Sequence, residues 1–193
     1  GGTAEETVFT PAGTIAATDV QAAIQEVASE AGGAGGLSLI GESTLGADAA
    51  SFDTNTILGG AIPGTFTHLK IIALLRGTNA GANIDPRLRF NNDSGNNYDF
   101  ERDLAVDTGR SDDGIAAQSY IYGGVVPAAA GTAGKAGLVY VDIPCYAQTT
   151  FHKVAYVRNV GIYNETDANF IAGLIGGVWR NAAAITRIQL PPG

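Results

Sequence analysis

Methionine is missing from the sequence altogether. Translation begins on Met, so Gly1 is expected to be a processed or internal position with more polypeptide ahead of it. Cysteine occurs once, as Cys145. A single thiol excludes an internal disulfide and a cysteine-based metal site within the chain. The two histidines, His68 and His152, lie far apart in sequence. Charged residues make up only 16% of the chain, against about a quarter in ordinary soluble domains. Ser, Thr, Asn, Gln and Gly must therefore carry the solvated surface, which suits a structural or glycan-binding protein better than a cytosolic enzyme. Acid outweighs base to a formal net charge of −8, so a polyanion is repelled and direct nucleic-acid binding is disfavoured. The sequence contains neither an apolar run long enough to cross a bilayer nor a signal-peptide pattern at its start.

Two reaction motifs are also missing. There is no Gly-x-Ser-x-Gly nucleophile elbow. Gly131-Thr132-Ala133-Gly134-Lys135 carries a Gly-Lys pair, but Ala136 stands where a phosphate loop needs Ser or Thr for magnesium.

Glycine is abundant, at 27 residues, alongside 7 prolines. Turns and bulges use glycine's access to positive φ, so short apolar runs between glycines read as strands. At 193 residues the chain can form one domain with a real core plus a small appendage. Residues 1–31 read as that appendage. Glu6-Thr7-Val8-Phe9-Thr10 predicts a short strand stopped by Pro11, and Gly13 a turn. Thr18 or Asp19 caps a helix over residues 20–31. Val20, Ile24, Val27 and Ala31 share one stripe of it. So short a helix is marginal alone. Its stripe packs either on the following domain or against copies from neighbouring chains around an axis. Gly32-Gly33-Ala34-Gly35-Gly36 reads as a flexible linker and favours the second, with Val20, Ile24 and Val27 as oligomerisation residues.

Residues 37–193 read as an all-β body. Residues 37–40 and 44–45 open it, and residues 51–54 form a strand followed by a loop at Gly59-Gly60. The apolar run over residues 68–77 predicts a strand buried on both faces or at a sheet centre. Residues 85–91 alternate as a half-buried strand should, and residues 98–102 return as its partner after a turn. Further strands are expected at 119–122, 138–144, 152–158, 170–179 and 183–190, with a loop from 127 to 137. Many short strands without an intervening helical pattern argue an antiparallel sandwich, with a jelly roll preferred.

Four constellations carry possible chemistry. Cys145 and His152 are close enough for a thiolate pair, although a buried structural thiol is the commoner arrangement. Asp99, Glu101 and Asp103 alternate and so share a face. They read either as a glycosidase-type carboxylate pair or as the wet face of a strand, with Arg87, Arg89 and Arg102 as counter-charges. Asn91, Asn92, Asp93, Asn96 and Asp99 are rich in oxygen donors around Gly95. They lack regular calcium-loop spacing, and a hairpin turn braced by Asp and Asn explains them better. A second acidic loop holds Asp107, Asp112, Asp113 and Gly114. Tyr98, Tyr120, Tyr122, Tyr146 and Tyr163 either stack on sugars or fill a core with their hydroxyls at its rim.

Two stretches carry a resemblance. Val8-Phe9-Thr10-Pro11-Ala12-Gly13, running on into Thr18-Asp19-Val20-Gln21-Ala22-Ala23-Ile24-Gln25-Glu26-Val27, resembles the strand-turn-helix module of tail fibres and other appendages of tailed phages. The second covers most of the rest. It runs from residues 37–52 through Arg87-Leu88-Arg89-Phe90-Asn91-Asn92-Asp93-Ser94-Gly95-Asn96-Asn97-Tyr98 and residues 143–153 to Gly177-Val178-Trp179-Arg180-Asn181-Ala182-Ala183-Ala184-Ile185-Thr186-Arg187-Ile188. That order is similar to a C-terminal β-sandwich head domain of phage tail proteins. The resemblance implies a virion protein, a homotrimer whose head attaches to a host-surface glycan. It supplies no catalytic, cofactor or metal residues. A capsid or tail decoration protein is the alternative, and a polysaccharide depolymerase ranks third. Family members continue past the Trp-Arg-x-x-Ala-Ala-Ile stretch into a final strand, whereas this chain stops at Pro191-Pro192-Gly193. A last strand supplied from elsewhere is one expectation.

Overall fold

The computed structural model describes every residue except 1, 4–7, 9, 11–14, 34–35, 46–50, 107–108, 132 and 163–169. The chain divides into two compact units, Gly1–Glu42 and Ser43–Gly193.

In the first unit, Val8 and Asp19 form an isolated antiparallel bridge. The rest of the expected strand, Pro11 and Gly13 fall largely outside the described residues. Helix α1 spans Val20–Gly33. Asp19 starts it: its Oδ1 accepts the Ala22 N–H at 2.8 Å, satisfying one of the orphan donors of the first turn. Glu26 reaches back from the second turn, and its carboxylate accepts the Ala16 and Ala17 N–H groups at 2.9–3.0 Å. Gly32 and Gly33, expected in the linker, complete the helix instead. Gly36 is exposed and non-helical, and residues 37–40 and 44–45 follow as exposed irregular chain.

The second unit is all-β and sandwich-like. Its strands are β1 (Phe52–Asp53), β2 (His68–Leu75), β3 (Asn83–Ile84), β4 (Arg87–Phe90), β5 (Tyr98–Val106), β6 (Gly109–Gln118), β7 (Ile121–Tyr122), β8 (Val126–Pro127), β9 (Gly137–Pro144), β10 (Lys153–Ile162), β11 (Phe170–Trp179) and β12 (Ile188–Leu190). A six-stranded antiparallel sheet runs β2-β9-β10-β11-β5-β6, a four-stranded sheet runs β1-β12-β4-β7, and β3 pairs with β8. A five-residue helix, α2 (Thr54–Leu58), follows β1. The sequence reading placed only a loop there, because five residues cannot display helical periodicity. Asp53 caps it through the Asn55 N–H, and Gly59 ends it in the left-handed conformation.

The core joins inward residues of the large sheet, such as Val141, Val157 and Ile175, to Leu88, Phe90 and Ile188 of the small one. Alternation makes this possible, since period-2 side chains put every second residue inside. Phe90, Tyr98 and Trp179 form an aromatic cluster with centroids 5.7–6.3 Å apart. Trp179 is fully buried, and burying a side chain of that class stabilises by roughly 1.5–3 kcal/mol. Gly177 lets the layers meet: a Cβ there would lie 2.5 Å from the Ile121 side chain.

Three expectations change. Residues 109–118 form β6, a ten-residue strand on β5, rather than an acidic loop; Asp107 lies outside the described residues. The sequence Gly-Arg-Ser-Asp-Asp-Gly shows no apolar alternation because this edge strand buries almost nothing. Residues 183–187 are irregular, and the last strand is confined to Ile188–Leu190. It pairs with β1 and β4. Finally, β2 is an edge strand, not a centre. Its inward Leu69 and Ala73 are buried, but Ile72 and Leu74 stand 65% and 74% exposed.

Candidate functional site

The candidate site is the outer face of the six-stranded sheet. Register sets its rows. Lys70, Asp142, Tyr156, Gly176, Glu101 and Gly114 stand side by side across the six strands. The next row is Ile72, Tyr140, Arg158, Leu174, Asp103 and Asp112, and the third is Leu74, Leu138, Val160, Ala172, Ala105 and Arg110. The face therefore has two halves: apolar over β2, β9, β10 and β11, and acidic over β5 and β6.

A charged trio crosses the apolar half. Asp142 accepts from Arg158 at 3.2 Å and pairs with Lys70 at 3.5 Å. Both cations also lie over the Tyr140 ring, Arg158 at 4.3 Å and Lys70 at 5.0 Å from its centroid. Such contacts hold the charges flat on the sheet.

On the acidic half the structure brings Asp99, Glu101 and Asp103 onto one face, as their alternation requires. Their counter-charges differ from the expected set. Asp99 pairs with Arg180 at 3.5 Å and accepts the Ala117 N–H at 2.8 Å, bracing a bulge where Ala117 has φ +56°. Asp103 makes a forked ion pair with Arg110. Glu101 lies against Gly114. Arg102 points to the opposite face, pairs with Asp113 and covers the Tyr122 ring at 4.7 Å. Arg87 stacks over Tyr120 at 4.6 Å, and Arg89 donates to the Ser119 carbonyl. Two shallow depressions open on the outer face. One of about 250 Å³ is bordered by Asp99, Glu101 and Gly176, and one of about 420 Å³ by Arg110, Arg158 and Ala172.

The Asp93 loop is a braced hairpin. One carboxylate oxygen of Asp93 accepts the Gly95 N–H at 2.8 Å; the other accepts Asn97 Nδ2 at 2.9 Å and Trp179 Nε1 at 2.7 Å. Burial pushes the Asp93 carboxyl up, but these donors outweigh it and hold it below the usual range. Oxygens already facing N–H donors present a poor calcium shell. Asn91, also counted among the oxygen donors, instead clamps the segment before β12, accepting from Thr186 N and Arg187 N and donating to the Ala184 carbonyl. Among the described residues no cluster of His, Cys, Asp and Glu could hold a metal ion.

The remaining expectations fall as follows. Cys145 is exposed rather than buried, in a turn with φ +50°, and no hydrogen bond to His152 is formed among the described residues. Tyr98, Tyr122 and Tyr146 are buried, so they are core residues; Tyr120 is half-buried beneath Arg87, and Tyr163 lies outside the described residues. Burial pushes the Tyr98 hydroxyl up to about 12. Among the described residues Tyr140 and Tyr156, which were not singled out, are the tyrosines on the outer face; their outward parity in β9 and β10 was the signal. On α1, Val20 is half-buried, while Ile24 and Val27 stand 58% and 46% exposed. Among the described residues no helix is long and apolar enough to cross a membrane.

The fold and this face define the protein as an all-β, sandwich-like domain with an open sheet surface, following a helix-bearing unit. Comparison with family models, curated proteins and solved structures gives no match.

Proposed function

We propose that the chain is a structural attachment protein of a tailed-phage virion, of tail-fibre or receptor-binding type, working as a homotrimer. In this reading the β-sandwich is a head carried on the α1 unit and recognises a host-surface glycan. The sequence resemblance of residues 8–27 and 37–188 suggests the class. The observation that carries it is the state of the outer face. Asp99 and Asp103 are tied up by Arg180 and Arg110, while aliphatic side chains and Tyr156 stay open. A retaining or inverting glycosidase needs two carboxyl groups free across a cleft, and a shallow face on which Asp99 and Asp103 are held in ion pairs suits surface recognition instead. The test is adsorption. Full-length chain added in excess to host cells is expected to reduce phage adsorption at least tenfold. Chain that coats particles yet leaves adsorption unchanged points to the decoration reading. Release of sugar from host polysaccharide, abolished by Glu101→Gln, overturns the proposal in favour of a depolymerase.

A further inference from the structure

We infer that the apolar half of the outer sheet face is a self-association surface whose occupant is a second copy of this chain. The inference rests on the homomeric part of the proposed reading but not on attachment. It places the main contact on the sandwich rather than on the α1 stripe.

The area comes first. Among the described residues, eight large apolar residues of β2, β9, β10 and β11 on this face stand 39–74% exposed, a contiguous patch of the kind that marks an interaction surface rather than the scattered single hydrophobes of an ordinary exterior. The stripe on α1 exposes only Ile24 and Val27 as large apolar groups. Shape agrees with area. Leu74, Leu138 and Val160 stand in one register row across three adjacent strands, giving a continuous ridge beside the small Ala172.

Charge selects the partner. The chain carries −8 overall, so two copies repel over most of their surfaces. On this half the fully charged groups are Lys70, Asp142 and Arg158, which sum to +1 and lie in one network, with exposed His68 at the end of β2. Here a copy can approach another copy without meeting its acidic excess, and the trio enters the contact already paired, which lowers the cost of removing it from water. A basic foreign partner would find no unpaired carboxylate on this half. The position of β2 adds to this. Eight residues of edge strand with Lys70 as their one fully charged side chain are a template for pairing, of the kind that proteins cover or break with charge.

Sedimentation of the full chain tests this. The wild type is expected to sediment at a multiple of 19.7 kDa at micromolar concentration. Leu74→Lys and Val160→Lys are expected to weaken association at least a hundredfold. Leu74→Thr, which keeps a strand-forming residue, should weaken it about tenfold. Buried Trp179 reports the fold of each variant by its emission, so a misfolded variant is recognised and the Thr variant then decides. A wild type that stays monomeric at 100-fold higher concentration overturns the inference. So does an oligomer that survives the face substitutions and dissociates only with Ile24→Asp. Adsorption is not a readout here, so failure of the attachment reading leaves the result interpretable.

Discussion

Asp53 shows how much one side chain ties together. It caps α2, its carboxylate takes Arg187 Nε at 3.1 Å and Gln189 Nε2 at 3.1 Å, and it sits on β1 opposite Gln189. The Arg187 hydrogen bond is the largest influence on its carboxyl and lowers it; burial opposes this, and the Asn55 N–H and Gln189 add to the lowering. A native value below the unfolded one means that the stabilisation is full above pH ~3.8 and disappears as pH falls through the lower native value. Asp53→Asn is therefore expected to lose about 1–3 kcal/mol at neutral pH. Denaturant titrations of wild type and variant should converge as the solution is taken below pH 3. A gap that stays constant into acid would show that the ion pair is not its source. Residues of this kind were hard to read in advance. Asp53 was legible as part of a strand, but its partners lie more than 130 positions away, and nothing local announces a long-range clamp. Asn91 was misread for the same reason, since an amide that reaches Thr186 and Arg187 looks in sequence like any turn residue.

At the scale of elements, alternation decided what could be read. Strands β4, β5, β9 and β10 bury one face each, and their period-2 patterns located them. Strand β6 buries almost none of its length and so left no pattern, being held by its ladder to β5 rather than by a core. In β2 the pattern was present but misassigned: a continuous apolar run ordinarily marks two covered faces, and here one face is open. That mismatch is the sequence signature of the candidate site. Adjacent glycines on β11 give a test of which face is which. A Cβ on Gly176 meets nothing within 4 Å, whereas one on Gly177 runs into Ile121. Gly176→Ala should be neutral or stabilise by up to about 1 kcal/mol, by removing glycine's entropy from a strand. Gly177→Ala should destabilise by about 1–3 kcal/mol through overpacking. Thermal melts that rank the two the other way would reverse the assignment of inner and outer faces.

The whole molecule is two units, and the core belongs to the second. Among the core residues that cluster together, every one lies between Ile62 and Leu190. A fragment beginning at Ser43 is therefore expected to fold by itself. Its melting temperature should fall within about 3 °C of the full chain, with the same Trp179 emission. A fragment that melts far lower would show that residues 1–42 contribute to the body's stability. The all-β class was legible from composition and turn spacing, and the chain divides into Gly1–Glu42 and Ser43–Gly193. The division at Glu42 was not legible, because Gly32 and Gly33 continue the helix and glycine content alone marked them as linker.

The pairing of β1 with β12 has a mechanical side. Phe52 lies opposite Leu190, so the strand that begins the sandwich and the strand that ends it run in opposite directions, with their outward-leading ends on the same side. Tension applied between those two points falls on one hydrogen-bond rung at a time and peels the small sheet open like a zipper. Tension between the β1 end and the broad sheet spreads over the packed core instead. A body of this design bears load well when hung from one end, and gives way early when gripped by both.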